Sequence, residues 1–204
     1  MSGILEFGVV EVLGGKIVNA RTRLCRATGV VRDEDAAIHG LHAETLVTHA
    51  PFAEEWEYFS SVRELGPLAA HYAGVENALL KSVWPYPRSV PDFARPGDRV
   101  VDWGPWVDTA RLYPQFYPRF DSGKLESLVT AAGLQAELEF VAAQHCPAAR
   151  RHYHAALYDA LAGALLLSAL ARDPQLAALS TMQLLALSTL DGEKRDALQQ
   201  GNLF

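Results

Sequence analysis

Residues 150–170 read "RRHYHAALYDALAGALLLSAL". From Ala155 onward the stretch is apolar nearly all round and holds no proline, the pattern of a buried helix. His154 opens this run and Asp159 follows five positions later. Five helical steps rotate a side chain through about 500°, leaving the pair roughly 140° apart if both lay inside the helix. They can reach a common point only if His154 sits on the entering loop or first turn and Asp159 one turn in. An imidazole and a carboxylate above a helix N-terminus suit proton transfer. A capped helix start with a hydrogen-bonded aspartate gives the same pattern.

Upstream, the chain punctuates itself. "ILEFGVVEVLGGKIVNARTRLCR" (4–26) reads as a β-hairpin, with strands over 4–12 and 16–25 and a turn at Gly14-Gly15. "VVRDEDAAIHGL" (30–41) reads as a loop with a short helical turn ending at His39, Gly40 and Leu41. "PFAEEWEYFSSV" spaces Phe52, Trp56 and Phe59 as an amphipathic helix does. "GPLAAHYAG" predicts a short strand running into the helix of "VENALLKSVW", and the Pro-rich 85–99 predicts a loop. "VVDWGPWVDTARLYP" predicts a strand, then a helix capped by Asp108. "SGKLESLVTAAGL" predicts a helix capped at Ser122 and stopped at Gly133. Residues 135–149 read as helix or loop, residues 174–187 as an amphipathic helix, and "DGEKRDALQQGNLF" as a polar tail. Strands first, then strands alternating with helices, predict an α/β fold: a mixed sheet flanked by helices.

Half of the 204 residues are hydrophobic, enough for a sizeable core in one domain with an appendage. Eighteen basic against 24 acidic residues leave a formal charge of −6, which disfavours sequence-independent coating of duplex nucleic acid. A metal-dependent enzyme working on a nucleic-acid end stays compatible, because its site needs carboxylates. Cys25 and Cys146 form no zinc spacing and read as two reduced thiols. The start shows no secretory signal, and the apolar run 160–171 is too short for a bilayer, so a soluble cytoplasmic protein is expected, with no membrane partner. His71 reads as a satisfied core histidine, Asp102 and Asp108 as strand-end and capping residues, and Trp84, Trp103 and Trp106 as core. His39 either presents its loop backbone to a nucleotide or is a turn histidine. Arg150, Arg151 and His152 read as a solvated run that could hold a phosphate.

Taken in order, four segments resemble the DEDDh (DnaQ-like) 3′–5′ exonuclease superfamily, which includes the epsilon proofreading subunit of bacterial DNA polymerase III. "ILEFGVVEVLGGKIV" resembles its second and third strands. "AAIHGL" resembles the loop that holds the 3′-terminal nucleotide. "LAAHYAGVENALL" resembles its second motif, H-N-A-x-F-D, and "HAALYDAL" its third, H-x-A-x-x-D. "WVDTARLYP" and "KLESLVTAAGL" also fall where the family has a capping D-T and a short helix. The resemblance spans residues 3–170 and implies a ribonuclease-H-like fold and hydrolysis of 3′-terminal phosphodiesters. In that family two divalent cations, about 3.5–4 Å apart, clamp the scissile phosphate. The resemblance makes His154 the general base, with an ordinary pKa near 6.5 suited to the task. It makes Asp159 and Glu76 ligands of Mg2+ or Mn2+. His39, Gly40, Leu41 and Tyr72 become substrate-binding residues, Tyr72 standing where the family has asparagine.

The family's first motif, D-x-E-T on a first strand, has no counterpart here, since only Met1, Ser2 and Gly3 precede "ILEFG". Glu6 matches a family glutamate outside that motif. Two carboxylates hold two dications poorly, so weak or absent metal binding is expected. The missing strand would leave its neighbours unpaired. Met1 therefore reads as an internal start or truncation boundary in preference to a natural pseudoenzyme. At the other end "QQGNLF" resembles the sliding-clamp pentapeptide, with Gln200, Leu203 and Phe204 as anchors. The alternative is that Leu203 and Phe204 fold back onto the domain. The expected organisation is an exonuclease-like domain over 1–172 and a helical extension with tail over 173–204. The expected partner is single-stranded or 3′-end nucleic acid, DNA in preference to RNA, though no residue reads a 2′-hydroxyl. The rival function is a catalytically inactive nucleic-acid- or clamp-binding module.

Overall fold

Gly14 and Gly15 take φ of 57° and 72°, the two left-handed positions of a type I′ turn, and they fold β1 (Glu6–Leu13) back on β2 (Lys16–Leu24). The pair is antiparallel, Glu6 opposite Leu24 and Leu13 opposite Lys16, with an irregularity between Glu11 and Val12. The computed structural model describes residues 3–93, 95 and 97–200. It divides into two units, each assembled from two stretches of chain: 1–54 with 125–169, and 55–124 with 170–204.

The first unit continues with α1 (Asp33–His39) and α2 (Ala43–Leu46). Gly40, at φ 71°, ends α1 and returns its N–H to the Ala36 carbonyl at 2.7 Å, as a left-handed C-cap does. After the second unit's segment come α6 (Leu125–Ala131), α7 (Gln135–His145) and α8 (Ala156–Arg172), which runs into the second unit at its last turn. Leu157, Leu161, Ala162, Leu165 and Leu166 of α8 are all buried, as expected of a helix apolar nearly all round. Gly8 of β1 lies so close to α8 that a Cβ would come within 2.4 Å of the backbone at Ala156 and Leu157. Only glycine permits that approach.

The second unit holds α3 (Trp56–Leu65), β3 (Leu68–Ala70), α4 (Ala73–Val83), β4 (Val90–Pro91), β5 (Arg99–Val100), β6 (Trp106–Asp108), α5 (Thr109–Phe116), α9 (Thr181–Ser188) and α10 (Gly192–Gln200). Strands β3 and β6 run parallel, Ala70 opposite Asp108. The aromatic cluster of Trp56, Phe59, Trp84 and Trp103 fills its core, with Trp84 and Trp103 centroids 6.0 Å apart. Arg63 is wholly buried beside it, donating to the carbonyls of Trp103 at 2.8 Å and Gly104 at 2.6 Å. Burial pushes this guanidinium down to about 10.

Several expectations need correction. In place of one mixed sheet, the described strands form three separate two-stranded sheets, β1–β2, β3–β6 and β4–β5. Four of these strands are only two or three residues long, too short for a wide ladder. The Pro-rich segment is not all loop, because β4 and β5 pair across it. The helix expected over 174–187 starts only at Thr181: Asp173 caps turns over 173–179, and Ser180 with Gln183 forms a capping box. The polar tail is helical over Gly192–Gln200, where Asp191 accepts from the Glu193 N–H and Leu198 is buried. Ser122 takes the N–H of Lys124 in the preceding loop and does not cap α6 itself.

Candidate functional site

His154 has φ 68°, a left-handed backbone that turns the chain sharply into α8. Few non-glycine residues adopt it, and it costs about 1–2 kcal/mol. Asp159, one turn in, reaches back so that its carboxylate accepts the His154 N–H at 3.1 and 3.3 Å. The His154 ring remains exposed. His154 therefore stands on the entering turn with Asp159 one turn in, but the contact runs to the histidine backbone N–H and not to its ring. The carboxylate fixes the turn, and the turn presents the imidazole to solvent.

A second carboxylate braces the same turn. Glu6, on β1, accepts the Ala156 N–H at 2.9 Å and holds Arg150 through two bonds of 2.6 and 3.1 Å. Both side chains are nearly buried, 7% and 12% exposed, so the fork is a desolvated ion pair. The remaining arm of Arg150 donates to the His39 carbonyl at 2.6 Å. His39 Nδ1 in turn accepts the Leu41 N–H at 3.1 Å, and Leu41 packs into a buried cluster with Leu5 and Leu46. Burial, then the neighbouring Arg150 charge, lowers the His39 pKa. One carboxylate thus links the 39–41 loop to the start of α8. Arg151 turns the other way, donating to the Ala143 and Cys146 carbonyls at the C-terminal end of α7. The solvated run expected over 150–152 therefore applies to exposed Arg151 and His152, whereas Arg150 is structural.

Tyr72 and Glu76 belong to the second unit. Tyr72, at φ 63°, precedes α4 in the left-handed region, where asparagine is better tolerated than tyrosine. Its N–H and that of Ala73 donate to the two oxygens of Asp108, each at 3.1 Å. Asp108 also accepts the Ala110 N–H at 3.0 Å. This buried carboxylate therefore caps α4 and α5 together, where both helix dipoles favour a negative charge. His71 is half-buried and satisfied, 3.0 Å from Thr109 Oγ1 and 2.8 Å from the Gly123 carbonyl. Burial lowers its pKa. Glu76, in the first turn of α4, remains exposed to solvent, yet surrounding protein raises its carboxyl above the usual range. Surface area and desolvation differ in this way where water reaches a side chain flanked by dense protein.

The cations implied by the resemblance do not fit the described donors. Among the described residues no group of three or more His, Cys, Asp or Glu side chains is placed to hold a metal ion. Asp159 is committed to a backbone N–H, and Glu6 is neutralised by Arg150. At the C-terminus Gln200 ends α10, while Leu203 and Phe204 lie outside the described residues. Cys25 and Cys146 are both buried thiols outside any disulfide. Among the described residues no helix is long and apolar enough to cross a membrane.

Sequence reasoning passed over the brace made by Glu6 and Arg150, because no local pattern ties residues 144 positions apart. The spacing of Gly8 from Glu6 was the available signal: a glycine in a β-rich run marks a close approach.

Among solved structures, "Exonuclease X in complex with 5' overhanging duplex DNA" has a similar fold, with a TM-score of 0.64 and 21% sequence identity over 92% of this chain and 93% of that one. No protein-family model and no curated protein matches the sequence.

Proposed function

We propose that this chain, built on an exonuclease fold, engages the 3′ end of DNA and supports hydrolysis of the terminal phosphodiester, with His154 as the general base. The observation that carries this reading is the exposed His154 imidazole, presented by a strained left-handed turn that Asp159 and Glu6 brace. Strain held in place by two carboxylates points to a functional position. The His154 ring would accept a proton from the attacking water. The loop over His39, Gly40 and Leu41, tied to that turn through Arg150, would seat the terminal nucleotide. The exonuclease of similar fold is in complex with duplex DNA, which favours DNA as the partner.

Family resemblance assigns Mg2+ or Mn2+ to Asp159 and Glu76. The described donors do not complete such a site, so the proposal is that the 204-residue chain binds 3′ ends much better than it cleaves them. The incomplete donor set also favours a second reading, a binding module without nuclease activity.

Fluorescence anisotropy with 3′-recessed DNA and mononucleotide release in Mn2+ separate the two. The proposal expects preference for a free over a blocked 3′ end, slow release, and a further loss of about 10²-fold in His154→Ala. Binding with no release in any metal supports the module, and neither binding nor release refutes both. Clamp tethering through Gln200, Leu203 and Phe204 rests on the sequence pattern. Deleting the last five residues should abolish co-elution with a sliding clamp.

A further inference from the structure

The second unit holds an open cavity of about 510 Å3 that the proposed exonuclease chemistry does not use. Arg111, Pro114 and Gln115 of α5 line one wall; Leu187 of α9, Leu190 of the following loop and Arg195 of α10 line the other. Two arginines are therefore among the residues lining one space, and no carboxylate is among the described lining residues. The Arg111 Nε is buried with no hydrogen-bond partner among the described residues. Arg195 lies a loose 3.9 Å from its exposed neighbour Asp196. An unsatisfied buried donor is costly, and because this nitrogen has almost no accessible surface a ligand in the cavity would meet it only if the Arg111 side chain turned toward the open space.

We propose that this cavity binds a phosphate-bearing organic anion of nucleotide size. Paired guanidinium forks match phosphate oxygens in charge and geometry. The volume exceeds what a free inorganic anion fills and lies within the range of small-molecule sites. The side chains of Pro114, Leu187 and Leu190 would cover the organic part. Gln115 keeps the walls in register by donating to the Arg111 carbonyl at 2.7 Å and the Leu187 carbonyl at 3.1 Å. Two sources supply this chemistry, a free mononucleotide and a nucleic-acid backbone. The site stands independently of the exonuclease reading, because none of its residues belongs to the His154 turn.

The test follows arginine Nε–H resonances of the full chain during titration with inorganic phosphate, deoxyadenosine 5′-monophosphate, or a dinucleoside phosphodiester without a terminal phosphate. Saturable shifts at Arg111 are expected, with the mononucleotide tighter than inorganic phosphate. Arg195→Gln, at an exposed position, should weaken binding at least about tenfold, the value of one charge-assisted hydrogen bond. Arg111→Gln should remove it. Tighter binding of the monoester assigns the site to free nucleotide, and tighter binding of the diester to nucleic-acid backbone; either supports the site. No shift with any of the three, or unchanged affinity in Arg195→Gln, overturns it. Arg195→Gln decides the matter even if Arg111→Gln fails to fold.

Discussion

His154 combines an unfavourable backbone with an exposed imidazole, so its contributions to stability and chemistry should separate. Asparagine tolerates the left-handed region but has no side-chain proton acceptor of comparable basicity. His154→Asn should hold or raise stability, by up to about 1 kcal/mol in urea unfolding, while mononucleotide release falls about 10²-fold. Loss of stability to the same extent as a cavity variant would show that the ring is structural. His39 and His71 give a pH prediction. Burial lowers both pKa values in the folded state, so the unfolded chain binds more protons. Their contribution is complete above the ordinary histidine pKa, about 6.5, and is lost as pH falls through the depressed folded values. Melting temperature should therefore fall between pH 7.5 and 5, and less steeply in His71→Gln. Equal slopes in the two proteins would remove His71 from the account.

Among the elements, the β1–α8 junction determines how the turn is held. Gly8 lets β1 approach the backbone of Ala156, and Glu6 on the same strand then caps the part-buried N–H at the helix start. The same carboxylate neutralises Arg150, which is itself almost inaccessible to water. Removing one partner of such a pair leaves a buried charge without compensation. Glu6→Ala should therefore cost about 3–5 kcal/mol. Glu6→Met with Arg150→Met should recover a large part of that loss, because neither charge then remains buried. A double variant no more stable than Glu6→Ala would mean that the strand–helix packing, and not the ion pair, is the main contribution. In the second unit Asp108 has the corresponding place, capping two helices at the end of β6.

For the whole molecule, the charge of −6 limits how the proposed DNA partner could be held. An acidic chain has few cations to exchange against phosphate counterions. Its affinity for a 3′ end should fall with salt on a log–log slope of about −1 to −2, corresponding to two or three phosphate contacts on single-stranded DNA. Anisotropy titrations between low and physiological salt measure the slope directly. A slope several times steeper would require a basic stripe that the composition does not provide.

The hairpin, the helix at residue 156 and the His154–Asp159 pairing were legible because they depend on neighbours in sequence. Gly14-Gly15 fixes a turn, apolar periodicity fixes a helix, and five positions fix the reach of Asp159 to His154. The capping role of Asp108 was legible for α5, but not for α4, whose start lies 36 positions away. The separate short sheets were missed because strand length and pairing depend on what stands beside each strand. The helical tail was missed because its polar residues hide one buried leucine, Leu198. Sequence alone thus determined the hairpin turn and the placing of Asp159 one turn into the helix that His154 precedes, through turn chemistry and spacing. Only the tertiary structure decided that Glu6 and Arg150 brace that turn and that Arg111 and Arg195 share a cavity, because burial and charge pairing across distant residues arise only when the chain is packed.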